Sequence, residues 1–531
     1  MILSDILKYD YFLIGDDQKE ITGITYDSRV VKEGFVFVAI KGQTTDGHNF
    51  IEGAIAKGAI AVVCEKGHPK LPGFIGKYPA VAWIRVNDCR GALAAFSSAF
   101  YGNPSEGLGV IGITGTNGKT TTSYLIKSVL EKWGKGVGLI GTIRYMIRDD
   151  SFEAPHTTPE ASDFQRLLRE MVDKECDYVV AEVSSHAIAQ KRTDFTQFKV
   201  AVFSNLTRDH LDFHRTMEDY FNVKKGFFLY LLSEDGTAVI NVDDPYGQKL
   251  STILREQRPS VRQITFALFD QKADVRVIDV RSTFRGTSFN LKMKDWPFCL
   301  DLITPLVGQT SIYNILAAVC AVLPLNVPME VIKEGIAELS LVSGRFERVD
   351  LGQPFLAVVD YAHTDDALER LLATARQLLD DCLSDGIAAN TTSRGKIISV
   401  FGCGGNRDRG KRPKMGCIAS ELSDFVIITS DNPRNEDPAV IIKDIEAEMG
   451  KDNYIVMSDR RTAIRMAVLL ASPGDIVVIA GKGHEDYQEI EGVKHHFSDR
   501  KVLEEAIVET TVVSTRGRTK KRYAGAAQCL R

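Results

Sequence analysis

A glycine-rich turn between a strand-like run and a helix-like run constrains this chain more than any other feature. Residues 112–122 read GITGTNGKTTT; they begin at the end of the apolar run 108–114 and precede the helix-like run 123–130. Glycines let backbone N–H groups close around phosphate oxygens, and the start of the following helix adds partial positive charge. The turn therefore predicts ATP or GTP binding by Gly115, Thr116, Asn117, Gly118, Lys119, Thr120 and Thr121.

Two side chains of this turn have distinct predicted roles. Lys119 is expected to pair with the β- and γ-phosphates, and the Thr120 hydroxyl is expected to coordinate Mg²⁺. The glycine spacing departs from the usual pattern, because Ile113 stands where that pattern has glycine. An incidental glycine-rich turn is the alternative, and the order Gly-Lys-Thr between a strand and a helix argues against it.

Length and pattern together predict three α/β domains. The chain has 531 residues, and a domain usually takes about 150. Strand-like runs such as 178–181 and 475–480 alternate with longer helical runs, which is typical of parallel sheets covered by helices. Turn-rich stretches near 101–105 and 343–344 divide the chain into predicted domains at 1–104, 105–343 and 344–511.

The last twenty residues differ in composition from the rest. Residues 512–531 contain six Arg or Lys side chains and no acidic residue. Such a composition favours a solvated, disordered tail. A basic patch that binds a partner is the alternative.

Overall composition argues against several classes of protein. A net charge of −5 gives no basic excess for nucleic-acid binding, and no apolar run approaches the roughly 18 residues of a membrane span. The first residues lack the features of a signal peptide. The nine cysteines are scattered and never spaced as CxxC, which is typical of reduced thiols. The thiols therefore indicate a cytoplasmic protein, and we separately expect a monomer.

Acidic and histidine side chains follow two further strand-like runs. Glu182 follows the run 178–181, and His210 lies in the polar stretch after Phe203. A carboxylate at the carboxyl end of a strand in an open α/β sheet faces the ligand crevice. Glu182 and His210 are therefore candidate Mg²⁺ ligands, although a lone histidine is more often structural.

The sequence GTNGKTT after a strand resembles the Mur ligase family, the ATP-dependent amino-acid-adding enzymes of cell-wall precursor synthesis, to which folylpolyglutamate synthases are related. The resemblance covers about residues 20–500. It implies a small α/β N-terminal UDP-binding domain, a central P-loop ATPase domain with a mostly parallel sheet, and a C-terminal Rossmann-like domain.

The resemblance also implies catalytic and metal-binding residues. Lys119, Glu182, His210 and Lys224 are the implied catalytic residues, and Thr120 joins the last three around two Mg²⁺ ions. Lys224 matches the lysine of the family's Tyr-x-x-x-Lys segment, which is carbamylated, and Lys225 is the less favoured candidate. A carbamate is an anionic oxygen ligand, whereas an ammonium beside divalent cations would be repelled. Residue chemistry alone favours two solvated lysines on a helix.

Three further residues resemble nucleotide contacts of the family. Asn314, in the Asn-x-x-Ala-Ala pattern, is implied to approach the adenine. Arg345 is implied to meet a nucleotide phosphate, and Asp360 the ribose or that arginine. The family usually has Thr-Pro-Asp shortly after this aspartate, whereas this chain reads Thr-Asp-Asp at 364–366; loss of the proline is expected to loosen the turn.

The N-terminal segment 24–47 resembles the uridine-binding domain of the third ligase in this pathway. Taken alone, it could be a surface hairpin with polar turn residues. His156 stands where the family has Asn. The implied contacts to the UDP-muramoyl dipeptide are Tyr26, Ser28, Gln43, Thr44, Thr45, His156, Thr157, Thr158, Ser184, Gln190 and Arg192.

Three polar loops follow strand-like runs in the C-terminal domain and are expected to converge on one crevice. The implied contacts to the incoming amino acid are Arg407, Asp431, Asn432, Pro433, Arg434, Gly481 and Glu485. A planar guanidinium is suited to hold a carboxylate through two hydrogen bonds. Arg407 and Arg434 for carboxylates and Glu485 for the distal ammonium therefore favour meso-diaminopimelate, whose second amino-acid head lysine lacks. Taken alone, Asp-Asn-Pro-Arg could be a turn with a solvated arginine.

The resemblance implies ATP-dependent amide-bond formation in peptidoglycan precursor synthesis. ATP would phosphorylate the D-Glu γ-carboxylate of UDP-N-acetylmuramoyl-L-Ala-D-Glu, and the amine of meso-diaminopimelate would attack the acyl phosphate. Lys119 and the magnesium pair would offset the negative charges that meet there. Two alternatives stay open: a sister ligase, either L-lysine-adding or a folylpolyglutamate synthase, and a non-catalytic nucleotide-binding protein.

Overall fold

A computed structural model describes residues 1–42, 45–294, 296–384 and 395–510, without the side chains of Asp212 and residues 382–384. Gln43, Thr44 and the basic tail at 512–531 lie outside the described residues. The chain forms two compact units. The first unit comprises Met1–Leu206, His214–Arg276 and Leu316–Gly335, and the second comprises Thr207–Phe213, Val277–Ile315 and the residues from Ile336 onward.

The first hundred residues form a five-stranded sheet with helices packed on it. The spatial order of its strands is β1-β5-β4-β3-β2, and β1 alone runs antiparallel to its neighbour. The apolar, β-branched sequence of the inner strands explains their burial. The elements are α1 (Leu3–Ile6), β1 (Tyr11–Ile14), β2 (Gly23–Thr25), β3 (Phe35–Val38), α2 (Ile51–Ala56), β4 (Ala59–Glu65), α3 (Leu71–Lys77), β5 (Ala82–Val86) and α4 (Cys89–Phe100).

The rest of the first unit is built around a second sheet. Its central strand, β6, lies between β10 and β11 and is buried at every position. Within this unit the order is β13-β12-β11-β6-β10-β7-β8-β9, parallel from β13 to β7 and antiparallel beyond. The elements up to β13 are β6 (Gly109–Thr114), α5 (Lys119–Lys132), β7 (Val137–Ile140), β8 (Arg144–Ile147), β9 (Asp150–Glu153), α6 (Ala161–Asp173), β10 (Tyr178–Glu182), α7 (Ser185–Ala189), β11 (Phe198–Phe203), α8 (Leu211–His214), α9 (Met217–Gly226), β12 (Leu232–Asn241), α10 (Pro245–Gln257) and β13 (Arg262–Ala267).

Two features of this sheet position the phosphate-binding turn. The helix α5 begins at Lys119, four residues before the run expected to be helical, because Gly118 adopts φ +89° and turns the chain directly into the helix. The strands β6, β10 and β11 are neighbours and parallel. Their carboxyl ends therefore meet at one edge of the sheet, where ligands bind in open α/β folds.

The C-terminal part of the second unit is a six-stranded sheet. Its order is β17-β18-β22-β19-β20-β21, parallel except for β17. The remaining elements are β14 (Val275–Thr283), β15 (Gly286–Met293), β16 (Cys299–Thr304), α11 (Gln309–Val322), α12 (Met329–Glu338), β17 (Glu347–Val349), β18 (Leu356–Asp360), α13 (Asp365–Ser384), β19 (Ile397–Phe401), α14 (Lys411–Leu422), β20 (Phe425–Ile428), α15 (Pro438–Glu446), β21 (Tyr454–Val456), α16 (Arg460–Leu470), β22 (Ile476–Ala480), β23 (Tyr487–Ile490), β24 (Val493–His496) and a last helix at 499–510.

The predicted fold class is confirmed: helices alternate with strands in mostly parallel sheets. Among the described residues, no helix combines the length and the apolar character that a membrane crossing requires. The seven cysteines whose side chains are described are free thiols. Burial raises the pKa of Cys64 and of Cys403 to about 12, so both thiols stay protonated at neutral pH.

Candidate active site

The glycine-rich turn is held in shape by the two residues that follow β11. The Asn205 carbonyl oxygen accepts a hydrogen bond from Thr116 N, and its Oδ1 accepts one from Asn117 N, both over 2.9 Å. Ser204 Oγ donates to the Asn117 carbonyl oxygen over 2.7 Å. A Cβ atom at Gly115 would lie 1.9 Å from Ser204 Oγ, so this close approach requires glycine. Sequence analysis did not single out Ser204 or Asn205.

Lys119 is folded over the turn that precedes it. Its Nζ donates to the carbonyl oxygens of Gly115 and Thr116, each over 2.9 Å. The ammonium therefore stands at the turn, where backbone N–H groups and the start of α5 favour an anion. This is the place where the sequence predicted a phosphate contact.

Two predicted metal ligands come together at a buried carboxylate. Glu182 ends β10 and is fully buried. Its Oε2 accepts hydrogen bonds from Thr120 Oγ1 over 3.0 Å and from Thr142 Oγ1 over 2.8 Å, and its Oε1 accepts one from Thr142 N over 3.0 Å. No signal in the sequence marks Thr142, because no motif surrounds it. Thr142 lies next to Glu182 because β7, which precedes it, pairs with β10.

The structure separates the two candidate lysines of α9. Lys224 is 1% exposed, and its Nζ donates to the Gly115 carbonyl oxygen over 2.9 Å and to Thr114 Oγ1 over 3.2 Å. Its ammonium also stands 4.8 Å from the centre of the Tyr220 ring. Lys225 instead donates to Asn222 Oδ1 over 2.8 Å at the surface. Of the two, Lys224 is the lysine that faces the phosphate-binding turn.

His210 and Asn314 belong to the second unit. The His210 side chain is 45% exposed, and its Nε2 lies 3.4 Å from Asp209 Oδ2. Its backbone adopts φ +55°, which is uncommon for a non-glycine residue. Asn314 lies half-buried on α11.

Arg345 and Asp360 lie around one turn of the second unit. The Asp360 carboxylate accepts hydrogen bonds from Phe346 N over 2.6 Å and from Ala362 N over 2.8 Å. Burial raises the pKa of Asp360, against the lowering effect of the nearby Arg345 guanidinium. That guanidinium lies 4.9 Å from the centre of the Tyr361 ring. Helix α13 begins at Asp365, the residue that stands where the family has proline, and Thr364 Oγ1 accepts a hydrogen bond from Ala367 N over 3.2 Å at the start of the helix.

Four residues of the predicted acceptor site form one connected cluster in the first unit. Thr158 Oγ1 donates to the Glu182 carbonyl oxygen over 2.7 Å and lies 3.4 Å from Ser184 Oγ. The Arg192 guanidinium donates to the Thr158 carbonyl oxygen over 2.9 Å and to Gln190 Oε1 over 2.7 Å. Thr157 lies near the predicted metal ligands, since its Oγ1 is 3.1 Å from Oγ1 of Thr142, which bonds to Glu182.

A cavity of about 330 Å³ contains two further predicted acceptor contacts, Tyr26 and His156. Glu160 and Asp163 also line it, and burial with these acids nearby raises the pKa of Tyr26 to about 12. The Tyr26 hydroxyl therefore stays protonated and is available as a donor. The His156 carbonyl oxygen accepts from Tyr145 Oη over 2.5 Å.

Ser28 and Thr45 lie on loops of the N-terminal sheet. The Ser28 carbonyl oxygen accepts from Lys57 Nζ over 3.0 Å, and the Thr45 carbonyl oxygen accepts from Gly42 N over 2.8 Å. The other two predicted contacts of this loop, Gln43 and Thr44, lie outside the described residues.

The loops after β19, β20 and β22 meet in the second unit. Asn432 Nδ2 donates to Glu485 Oε2 over 2.9 Å. A Cβ atom at Gly481 would lie 2.6 Å from Asp431 Oδ2, so the two loops touch where glycine stands. Arg434 Nη1 donates to the Gly405 carbonyl oxygen over 2.9 Å, and Pro433 is buried beside it. These contacts bring Asp431, Asn432, Pro433, Arg434, Gly481 and Glu485 together.

The two predicted carboxylate-binding arginines differ in their surroundings. Arg434 Nε donates to Glu489 Oε2 over 3.1 Å, and its side chain is 21% exposed. Arg407 is exposed on the loop after β19. Arg434 is therefore oriented by the protein itself, whereas Arg407 extends from a loop.

A buried arginine that sequence analysis missed joins two of these loops. Arg412 is fully buried, and its guanidinium donates to both carboxylate oxygens of Glu436 over 3.0 and 3.1 Å and to Asp444 over 2.9 Å. It also donates to the Gly404 carbonyl oxygen over 3.2 Å. The hydrogen bond from Arg412 lowers the pKa of Glu436 to about 2. In the sequence, Arg412 is one of several basic residues and carries no distinguishing signal.

A cluster of Asp46, His48 and His68 places potential metal-ligand atoms within 4.8 Å of one another. His48 Nδ1 lies 2.7 Å from Asp46 Oδ1, and His48 Nε2 accepts from Glu65 N over 3.2 Å. The two imidazole rings stack at 4.2 Å with planes 8° apart, so their in-plane lone pairs do not converge. This cluster is therefore built as a structural support for the loop around Asp46 rather than as a metal centre.

Comparison with known proteins gives matches over most of the chain. Residues 20–101 match the domain described as "Mur ligase family, catalytic domain", residues 113–322 match "Mur ligase middle domain", and residues 344–483 match "Mur ligase, glutamate ligase domain".

Individual relatives match along nearly their whole length. A UDP-N-acetylmuramoyl-L-alanyl-D-glutamate–2,6-diaminopimelate ligase of Clostridium botulinum is 44% identical, over 96% of this chain and 100% of that protein. The enzyme of the same name from Geobacter metallireducens is also 44% identical, over 92% and 94%. A solved structure of a ligase of this name is 31% identical, with a TM-score of 0.66 over 96% of this chain and 99% of that chain.

Proposed function

The chain belongs to the Mur ligase family, and we propose that it adds meso-diaminopimelate to the D-glutamyl γ-carboxylate of UDP-N-acetylmuramoyl-L-alanyl-D-glutamate in an ATP-dependent, ADP-forming reaction. The names of its relatives support this substrate pair. The observation that supports the proposal most directly is the contact between the Asp431–Arg434 loop and Glu485. Together they offer an oriented guanidinium and a carboxylate, which suit an amino acid with a second, zwitterionic head.

ATP would bind at the glycine-rich turn. The backbone N–H groups of 115–118 and the start of α5 suit the phosphates, and the Lys119 ammonium stands at the turn. Asn314 is proposed for the adenine, Arg345 for a phosphate, and Asp360 for the ribose or for Arg345. These assignments follow the family pattern.

The donors present fit Mg²⁺. The Thr120 hydroxyl and the Glu182 carboxylate are hard oxygen ligands, which Mg²⁺ prefers. Bound there, Mg²⁺ would reduce the repulsion between ATP and the carboxylate that it phosphorylates. Glu182 would be held toward the metal by Thr142, and His210 would complete the ligand set. Lys224 is buried at the carbonyl of Gly115, and we propose that a carbamate on it is the remaining anionic ligand.

The UDP-muramoyl dipeptide would lie along the first unit. Tyr26 and His156 share the 330 Å³ cavity, while the cluster from Thr158 to Arg192 lies next to Glu182. This continuity suits a long acceptor whose carboxylate must reach the metal. The acyl phosphate formed there would then be attacked by the other amine of diaminopimelate, whose distal ammonium Glu485 would hold.

An assay with competing amines tests the proposal. The protein is supplied with ATP, Mg²⁺ and the UDP-muramoyl dipeptide, and ADP release and the peptide product are followed with meso-diaminopimelate or with L-lysine. We expect product with diaminopimelate and much less with lysine. Equal or better use of lysine would favour the lysine-adding sister ligase. ADP release with a folate and L-glutamate in place of the dipeptide and diaminopimelate would favour a folylpolyglutamate synthase. No substrate-dependent ADP release would favour a non-catalytic nucleotide-binding protein.

The reaction class implies the setting in which the protein works. Its proposed substrates are soluble nucleotides and amino acids, which suits a protein of the cytoplasm that acts in peptidoglycan synthesis and so in cell shape and division. We propose that it acts as a monomer. Gel filtration and cell fractionation test both points.

A further inference from the structure

Lys482 is a fully buried lysine in the amino-acid site that no motif assignment accounts for. Its side chain is 0% exposed and lies on the loop after β22. A lysine is almost never fully buried unless it is paired. The partners of this ammonium therefore show what it does.

The ammonium contacts three groups of the amino-acid site. Lys482 Nζ donates to Asn432 Oδ1 over 2.9 Å and to Glu485 Oε2 over 3.1 Å, and it lies 3.8 Å from Asp431 Oδ1. All three partners are proposed contacts of the incoming amino acid. Lys482 therefore lies directly behind the surface that would face the substrate.

These bonds orient both side chains. Lys482 Nζ and the Glu489 backbone N–H both donate to Asn432 Oδ1, so the Asn432 amide nitrogen points to Glu485 Oε2, to which it donates over 2.9 Å. The other oxygen of that carboxylate, Oε1, receives a long hydrogen bond of 3.4 Å from Tyr361 Oη. The Glu485 side chain is 18% exposed, so Oε1 is the carboxylate oxygen left for a ligand.

The ammonium also sets the charge of the site. Asp431 and Glu485 bring two negative charges, and Lys482 offsets one of them. The neighbouring Arg460 forms an ion pair with Asp499 over 2.7 Å, and Arg434 forms one with Glu489 over 3.1 Å. Burial lowers the pKa of His484 to about 4, so this imidazole adds no charge at neutral pH. Lys482 therefore reduces the negative charge that Asp431 and Glu485 bring together, and it leaves Glu485 Oε1 as a carboxylate oxygen for a substrate ammonium.

We propose that Lys482 is a positioning residue: it fixes Glu485 and Asn432 so that Glu485 Oε1 receives the distal ammonium of the amino-acid substrate. This inference rests on the proposed function, since it takes Glu485 as the ammonium contact. Lys482 itself does not touch the reacting atoms.

A double-mutant cycle tests it in the full chain. Lys482→Met keeps the length of the side chain without its charge, and Glu485→Gln removes the carboxylate. Each single variant is expected to raise KM for diaminopimelate at least about tenfold while KM for ATP and for the UDP-muramoyl dipeptide changes less than about twofold. The double variant is expected to show no further rise, because both changes remove the same contact.

A matched control comes from the other lysine near Tyr487. Lys494 Nζ lies 4.0 Å from the centre of the Tyr487 ring, and Lys482 Nζ lies 5.4 Å from it, but Lys494 is exposed. Lys494→Met is expected to leave every KM unchanged. If Lys482→Met does not fold, Lys482→Gln takes its place, because the amide keeps a donor toward Asn432 without the charge.

The outcomes separate this inference from the proposed function. The inference is overturned if KM for diaminopimelate changes less than twofold in the Lys482 variant, or if the two single effects multiply in the double variant. If the unmodified protein prefers lysine, the proposed function fails, but the cycle can still be run with lysine, which also carries a distal ammonium.

Discussion

The Thr120 hydroxyl donates a hydrogen bond to the Glu182 carboxylate over 3.0 Å, although 62 residues separate them in the chain. Thr120 lies in the first turn of α5, directly after the glycine-rich turn, and Glu182 ends the strand β10, which is parallel to β6 and next to it. Two oxygen donors at the carboxyl edge of a parallel sheet, beside a phosphate-binding turn, form the center of the proposed magnesium site.

Replacing Glu182 tests that site. We expect Glu182→Gln to lower kcat by about 10³-fold, because a metal that stabilises transition-state charge contributes several kcal/mol. The measurement is ADP release as a function of Mg²⁺ concentration. Thr142→Val, which removes a hydrogen bond to the same carboxylate, is the control and should lower kcat only about tenfold. A Glu182→Gln protein with unaltered Mg²⁺ dependence would contradict the assignment.

The lysine pair of α9 offers a second test. We expect Lys224→Ala to lower kcat at least about 10²-fold, and acetate or formate to restore part of the activity by supplying the missing carboxylate oxygens. Lys225→Ala should behave like the unmodified protein, because Lys225 bonds to Asn222 at the surface. Steady-state rates with and without the short carboxylates decide this. If no carboxylate restores any activity, the carbamate role is weakened.

Arg434 is expected to set the choice of amino acid. Arg434→Lys keeps the positive charge but loses the planar guanidinium with its two parallel donors. We expect kcat/KM for diaminopimelate to fall about 10²-fold, because breaking a hydrogen-bonded charge contact costs about 2–5 kcal/mol. The ratio of diaminopimelate to lysine use should fall with it. Lys482→Met should leave that ratio unchanged, because both amino acids carry a distal ammonium. An unchanged ratio in Arg434→Lys would remove this arginine from substrate selection.

The Arg412–Glu436 pair predicts an acid-dependent loss of stability. Arg412 lowers the pKa of Glu436 from its ordinary 4.5 to about 2, so the folded state favours the ionised carboxylate. This stabilisation is complete above about pH 4.5 and is lost as the pH falls toward 2. We expect Glu436→Gln to lower the stability at pH 7 by about 2 kcal/mol, through loss of charge-assisted hydrogen bonds to a buried arginine.

The midpoint of urea unfolding between pH 7 and pH 2.5 measures this effect. The midpoint of the unmodified protein should fall more steeply below pH 4.5 than that of Glu436→Gln. Arg409→Gln is the control, because Arg409 bonds to the same carboxylate but is 65% exposed; exposed pairs contribute about 0–1 kcal/mol. Equal slopes for all three proteins would show that this pair does not carry the acid dependence.

Sequence reasoning located those parts of the site that are contiguous in the chain. Residues 112–122 form the end of β6, a short glycine turn and the start of α5, because glycine conformations and helix starts are local properties. Gly118 starts the helix earlier than the apolar pattern indicated. The α/β class was predictable for the same reason, since strand and helix periodicities are written into short segments.

Partners brought together by strand pairing could not be predicted. Thr142 reaches Glu182 because β7 pairs with β10, and Asn205 supports the phosphate-binding turn because β11 pairs with β6. Lys224 is buried whereas Lys225 is partly exposed, and this difference depends on which face of α9 packs on the sheet. Adjacent lysines look alike in sequence.

The sequence by itself therefore determined the kind of chemistry: a phosphate loop, acidic and basic residues at strand ends, and a family pattern over most of the chain. The tertiary structure alone decided which oxygen and nitrogen atoms share a site. It placed Lys482 behind Glu485, and it placed Arg412 between two loops. A buried ammonium or guanidinium is costly unless it is hydrogen-bonded, so its position depends on the acceptors that surround it. Burial depends on the packing of whole sheets and helices, and no local run of residues carries that information.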